Sequence, residues 1–255
     1  MRCAAFTLVE LLVVVTIVAV LATLLTAGLR TASEQGEATK CAANLRQLAT
    51  AALTYAGEHD GAFPLAQDET NNVRWHGTRP LSGAQFDAAQ GPLAPYLGRE
   101  SRVKLCPTLR NVLTDHQTFE EGTGGYGYNA AYVGGTPGRP YQPERLVNIR
   151  RPAQTVLFTD TAFPRASGIQ EYAYCEPFQW MDVTGRLRGR LYASVHFRHR
   201  GTANVAWCDG HVSAEHPSRI DHANKYGGDA KKNNIGWFGP TDNNGYWNPR
   251  YSDRE

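Results

Sequence analysis

Neither sign of charge is in excess. Lys and Arg number 26 against 24 Asp and Glu, a net charge of +2. That balance excludes a polyanion binder driven by bulk charge and leaves only a local basic patch open. Signatures of common chemistry are missing as well. There is no Walker A loop, no GxSxG elbow and no dinucleotide-type glycine fingerprint after a strand. CxxC pairs and an HExxH helix are likewise absent. Asp160, Ser194 and His196 supply the residue types of a hydrolytic triad, but nothing in their spacing fixes such a geometry. No enzymatic activity is expected. A 42% apolar and 20% charged composition excludes a disordered chain, and a mean hydropathy of −0.43 excludes a polytopic membrane protein.

Two further absences coincide at the N-terminus. Proline does not occur between residues 6 and 56, and residues 11–29 (LLVVVTIVAVLATLLTAGL) carry no charge. A helix needs roughly 20 residues at ~1.5 Å each to cross the hydrocarbon of a bilayer. The run is longer than the ~7–15 residues of a secretory h-region, which favours a retained span. A signal cut near Ala27 or Ala32 is the competing reading. Glu10 stands at the start of this apolar stretch with no Lys, Arg or His in reach along the helix. A carboxylate there costs about 2.5–3.5 kcal/mol unless partnered. Cutting between Ala5 and Phe6 creates the missing cation as a new α-amino group, met most readily by Glu10 of a neighbouring copy.

Ala5-Phe6-Thr7-Leu8-Val9-Glu10-Leu11-Leu12 resembles the signal of type IV prepilins and type II secretion pseudopilins. The resemblance implies a prepilin peptidase that cuts before Phe6 and methylates its amine, and a filament built from this chain and other pseudopilins. The family normally has Gly before the cut, where this chain has Ala5. It also implies a single-pass protein of the inner membrane with a periplasmic or extracellular head.

Past the span, Cys41, Leu45, Leu48, Ala52 and Tyr55 recur at three- and four-residue intervals, the pattern of an amphipathic helix ending at Gly57. Gly28 and Gly36 are positions where that helix can bend. The expected organisation is a leader (1–5), a membrane or filament-core helix (6–30), its amphipathic continuation (31–57) and a globular head (58–255). Residues 122–138 read as a Tyr- and Gly-rich loop. Strands are expected at 155–160, 187–197, 202–208 and 211–215, which together make an antiparallel sheet. The fold class is α+β and pilin-like, with long loops. The aromatic segment 229–255 reads as ordered packing.

Asp209-Gly210 predicts a two-residue type I′ hairpin. Its register pairs Cys208 with His211, Trp207 with Val212, Ala206 with Ser213 and Val205 with Ala214. Val205, Trp207, Val212 and Ala214 then form the face expected to cover the helix. Cys208 and His211 become cross-strand neighbours, candidates for zinc. Hydrogen-bonded residues beside a turn account for them equally well.

His199, nine residues, then Asp209-Gly210-His211 resembles the ending of a large family of prepilin-like proteins without established activity. Patterns like Cys41-Ala-Ala-Asn44, Cys106-Pro107 and Tyr126–Asn129 recur in it. Physically, His199 is expected to orient the Asp209 turn. Four cysteines remain after loss of the leader: Cys41, Cys106, Cys175 and Cys208. They allow three pairings in an oxidising compartment, with Cys41–Cys106 and Cys175–Cys208 preferred, or free buried thiols.

By analogy with the calcium site of major pseudopilins, Asp242 and Asn244, with Asp253 nearby, offer oxygen ligands for calcium. An Asx-type turn explains the same residues without an ion. No other cofactor is expected. Arg186, Arg188, Arg190, Arg198 and Arg200 are the densest basic cluster, and a nucleic-acid partner is not favoured. The rival to a filament subunit is a monomeric, membrane-anchored periplasmic sensor or binding module that uses aromatics such as Trp75, Trp180 and Trp247.

Overall fold

The computed structural model describes residues 7–100, 102–114, 120–135, 142–182, 184, 186–220 and 227–250. One helix, α1 (Leu8–Glu58), runs unbroken for 51 residues, about 75 Å at 1.5 Å per residue. Thr7 caps its start, and Asp60 and Gly61, both with positive φ, turn the chain away just past its end. Gly28 and Gly36 lie within the helix without breaking it. The flanking residues supply enough propensity to carry two glycines at about 1 kcal/mol each.

The two halves of α1 meet different surroundings. Leu8, Leu12, Ile17, Leu21, Leu25 and Leu29 are all exposed, so the first half presents apolar surface around its whole circumference. This half is long and apolar enough to cross a membrane. From Cys41 onward one stripe is buried: Cys41, Leu45, Leu48 and Ala52 are 0–1% exposed. Each leucine so covered contributes about 1.5–3 kcal/mol of transfer free energy.

That stripe packs on a four-stranded antiparallel sheet. Its strands are β1 (Tyr126–Tyr128), β2 (Val156–Asp160), β3 (Ala203–Trp207) and β4 (Val212–Glu215), in the order β4-β3-β2-β1. β1 falls within the stretch expected to be a loop. Its Tyr-Gly-Tyr sequence is too short to show a period, and tertiary pairing with β2 makes it a strand. The expected strand at 187–197 is split into Leu187–Arg190 and Val195–His196, which join different sheets. Smaller ribbons pair Phe163–Arg165 with Gly168–Gln170 and Gln179–Met181 with Leu187–Arg190.

The hairpin register differs from the expected one by one residue. Ala206 pairs with Val212, Val205 with Ser213 and Asn204 with Ala214. The loop holds three residues, Cys208-Asp209-Gly210, with Gly210 at φ +90° and its N–H donating to Trp207 O at 2.9 Å. Such a loop is a type I turn closed by a left-handed glycine, the next most common hairpin after the two-residue form. Asn204, Ala206, Val212 and Ala214 therefore share a face with Phe158, Asp160, Tyr126 and Tyr128. This face lies toward the helix, because Asn44 Nδ2 donates to the Tyr126 hydroxyl at 3.1 Å. Val205 and Trp207 fall on the opposite face. There Trp207 meets Phe238 and Tyr246, with ring centroids 6.2 and 5.4 Å away. The C-terminal aromatics thus cover the back of the sheet, and Trp237, Phe238 and Trp247 are 0–1% exposed.

Candidate functional site

Two places carry the chemistry expected from the sequence: the start of α1 and the junction between α1 and the head. At the first, Thr7 Oγ1 accepts from the Glu10 N–H at 3.3 Å. The Thr7 N–H and hydroxyl donate to Glu10 Oε2 at 2.9 and 2.8 Å. This reciprocal capping box satisfies helix N–H groups that have no intrahelical acceptor. Glu10 therefore has a partner within its own chain, and both bonds end on one carboxylate oxygen. Ala5 and Phe6 lie outside the described residues.

At the junction, Cys41 of α1 and Cys106 form a disulfide that closes 65 residues of chain. The preferred first pairing is therefore present. Cys106 immediately precedes α2 (Pro107–Arg110), and Thr108 of α2 donates its hydroxyl to Glu37 of α1 at 3.1 Å. Beneath the disulfide lies a buried ionic knot. Asp160, at the end of β2, accepts from Arg198 Nη2 at 2.6 Å, His199 Nε2 at 3.1 Å and the Asn204 N–H at 2.7 Å. Arg198 further donates to the carbonyls of Gly125 and Thr161, at 2.7 and 3.1 Å, and its Nε–H points at Cys106 Sγ at 3.4 Å. Burial pushes the Asp160 carboxyl up, but Arg198, His199 and the Asn204 N–H outweigh it and hold the group below its ordinary value.

Local geometry requires this sequence. His199 and Thr202 exchange backbone hydrogen bonds across Arg200 and Gly201, both with positive φ, as a type I′ turn demands. At Gly124 (φ +68°) a Cβ would meet the Lys104 carbonyl, which leaves no room for a side chain. Glu171 Oε2 collects the N–H groups of Gly122, Thr123 and Gly124 and the Thr123 hydroxyl. Burial raises its carboxyl above the ordinary value, with these donors opposing.

Several expectations are corrected. His199 does not orient the Asp209 turn: the two lie at opposite ends of β3, and His199 serves Asp160 instead. Asp209 bonds to the His211 N–H and ring, at 3.1 and 2.6 Å. Cys175 and Cys208 are free buried thiols. Cys208 Sγ is directed at the Val156 carbonyl, 3.9 Å away. Cys175 is held by the β1 backbone, its N–H donating to Tyr128 O at 2.9 Å. Burial pushes both thiols well up. The zinc pair is not assembled, because Cys208 is buried in the turn while His211 is stacked on Trp207 at its surface.

Among the described residues, the grouping of metal-ligand type is Cys41, Cys106 and His199, and the disulfide occupies both sulfurs. In the C-terminal loop, Asn244 is consumed by protein partners. Its Oδ1 accepts from the Gln179 N–H, and its Nδ2 donates to Tyr132 and to Gln179 O. That leaves exposed Asp242 without it as a co-ligand for calcium, and Asp253 lies outside the described residues. Of the triad residue types, Ser194 Oγ accepts from the Glu176 N–H and Asp160 is committed to Arg198.

The arginine cluster divides: Arg198 is buried, and Arg188 pairs with Asp182 at 2.6 Å. Trp75 and Trp247 are core residues whose indoles donate to backbone carbonyls, not exposed recognition groups. Sequence reasoning missed Arg198 as the partner of Asp160. The available signal was an acid ending an otherwise apolar strand, which must find a cation when buried.

Residues 1–26 match the family described as Prokaryotic N-terminal methylation motif. The motif stands at the start of the long N-terminal helix of an α+β fold, and the match supports a likeness to type IV prepilins and pseudopilins over these residues. No curated protein and no solved structure matches it. The ending at His199 and Asp209-Gly210 gains no support from these comparisons.

Replacing Cys41 or Cys106 by Ser removes a cross-link whose chain-entropy value for a 65-residue loop is about 4 kcal/mol. Denaturant titration of the full chain in detergent is expected to show a loss of that order in either single variant. The double variant should lose no more than the singles.

Proposed function

We propose that this chain is a structural subunit of a type II secretion pseudopilus or a type IV pilus-like filament, working by assembly and catalysing no reaction. The precursor is held in the inner membrane by residues 6–30, with the head on the periplasmic side. A prepilin peptidase cuts between Ala5 and Phe6 and methylates the Phe6 amine. Glu10 of one copy then takes up the ammonium of another, and the apolar halves of α1 pack together. Copies of this chain and other pseudopilins are the partners, and no cofactor takes part.

One observation carries this reading. A methylation motif coincides with a helix whose first half is apolar all round while its second half is bolted to the head. A helix apolar on every side must be covered by lipid or by other helices, and the same segment serves both environments in turn. The head is fixed to it through the disulfide and the buried stripe, so motion of the helix is transmitted to the head.

Intact mass of the membrane-extracted chain tests the proposal. The expected result is loss of residues 1–5 and gain of one methyl group. An intact N-terminus overturns it in favour of a simple membrane anchor, and loss of about thirty residues overturns it in favour of a secreted protein.

A further inference from the structure

Groups of metal-ligand type meet where α1 joins the head. Cys41 Sγ, Cys106 Sγ and a His199 ring nitrogen all lie within 4.8 Å of one another. Each comes from a different place in the fold: α1, the residue before α2, and the turn that leads into β3. His199 Nε2 stands 3.8 Å from Cys106 Sγ and 3.1 Å from Asp160 Oδ2. In a tetrahedral zinc centre, Zn–N and Zn–S bonds of ~2.0 and ~2.3 Å set nitrogen and sulfur ligands ~3.6 Å apart, and nitrogen and oxygen ligands ~3.3 Å apart. The spacing around Nε2 is therefore that of ligands to one ion. Cys41, Cys106 and Asp160 are 0% exposed and His199 is 6% exposed, so water competes little for the position.

The disulfide and an ion are alternatives on the same two sulfurs. A dithiol reductant breaks the S–S bond, delivers two electrons and two protons, and leaves as its own disulfide. Zn²⁺ then displaces both thiol protons. Charge balance favours this exchange. With the disulfide closed, Asp160 and Arg198 cancel each other. With it open and the ion in place, two thiolates and Asp160 oppose Zn²⁺ and Arg198, so the buried knot is neutral again. Arg198 acts directly as well, because its Nε–H, 3.4 Å from Cys106 Sγ, is placed to support a thiolate there. A cavity of about 990 Å³ supplies the approach. Its lining includes Lys40, next to Cys41, and Leu105 and Pro107, on either side of Cys106.

We propose that the reduced head binds one Zn²⁺ through Cys41, Cys106, His199 Nε2 and Asp160. The disulfide then closes the junction of helix and head under oxidising conditions, and the ion closes it under reducing ones. Asp160 Oδ2 exchanges its bond to His199 for the fourth position on the metal. Two thiolates, an imidazole and a carboxylate in a tetrahedral arrangement select zinc over the hard ions calcium and magnesium, which take oxygen ligands in larger number. The inference does not rest on the filament reading, since all four ligands belong to one chain.

Cobalt titration of the full chain in detergent micelles tests it, after reduction with a water-soluble phosphine that takes the oxygen of one water and becomes its oxide. A thiol count that rises by two confirms the reduction. The reduced chain is expected to take up one equivalent of Co²⁺ with the visible absorption of a tetrahedral thiolate complex, and Zn²⁺ should bleach it. The disulfide form should show no such spectrum. His199→Gln should weaken cobalt binding at least tenfold, whereas Cys208→Ala, at another buried thiol, should leave it unchanged. Absence of the spectrum in the reduced chain overturns the proposal. So does the same spectrum in the disulfide form, an unchanged affinity in His199→Gln, or a folded near-ultraviolet dichroism lost on reduction that zinc does not restore. In the wild-type chain, zinc should also slow alkylation of Cys41 and Cys106 at least tenfold, and equal rates with and without it overturn the proposal whatever the variants do. Because the mass measurement reads the N-terminus alone, failure here and failure of the filament reading are told apart.

Discussion

Arg198→Met is expected to destabilise the head by about 3–5 kcal/mol, the usual cost of removing one partner from a buried ion pair. The loss goes beyond one Coulomb contact. Asp160 is left fully buried with His199 and one N–H, and the carbonyls of Gly125 and Thr161 lose their donor. Denaturant titration of wild type, Arg198→Met, Asp160→Asn and the double variant measures the coupling. The double variant should lose distinctly less than the sum of the two singles, because a neutral amide beside an apolar chain buries no uncompensated charge. Strict additivity would show that the pair is not a unit.

The same pair fixes the sign of a pH effect. The Asp160 carboxyl sits below its ordinary value in the folded head, so folding favours its ionised form. That stabilisation is complete above the unfolded carboxylate value of ~3.9 and is lost as pH falls through the folded value. The stability gap between wild type and Arg198→Met should therefore be widest above about pH 4 and shrink on further acidification. A gap that grows toward acid would place the responsible group elsewhere.

How much of this was readable in the chain depends on the range of the interaction. The long helix and its buried stripe follow from local periodicity, since Cys41, Leu45, Leu48 and Ala52 repeat with the turn of the helix and need no knowledge of the head. The Asp209-Gly210 hairpin was legible as a turn but not in register. Two- and three-residue loops share that dipeptide, and a slip of one reverses the faces of Val205 and Trp207. Least legible was the knot. Asp160 and Arg198 are 38 positions apart, and a free-standing motif places His199 with the nearby Asp209 when its partner is the distant Asp160. The cysteines divide the same way: one pairing joins helix to head, while Cys175 and Cys208 are directed at different neighbours by the sheet. Long-range partners leave no period in a sequence, only an unexplained charge.

Glu10→Gln is expected to abolish assembly while membrane insertion is kept. The carboxylate stands in an apolar run, where its charge costs about 2.5–3.5 kcal/mol, so removing the charge favours insertion if anything. The capping box complicates a simple reading, because Glu10 also stabilises the start of its own helix through Thr7. The two roles separate by substitution. Glu10→Gln keeps an oxygen that accepts from the Thr7 N–H but carries no charge for a neighbour's ammonium. Thr7→Val keeps the charge and removes the hydroxyl, a capping loss of about 0.5–2 kcal/mol. Co-purification of two differently tagged copies from the same membranes provides the measurement. If the carboxylate works between molecules, Glu10→Gln reduces recovery of the second copy at least tenfold, and Thr7→Val leaves it within a factor of two to three. Were the two variants to fall equally, Glu10 would be a cap residue and nothing more, and the docking of one chain's amine on another's acid would have to be abandoned.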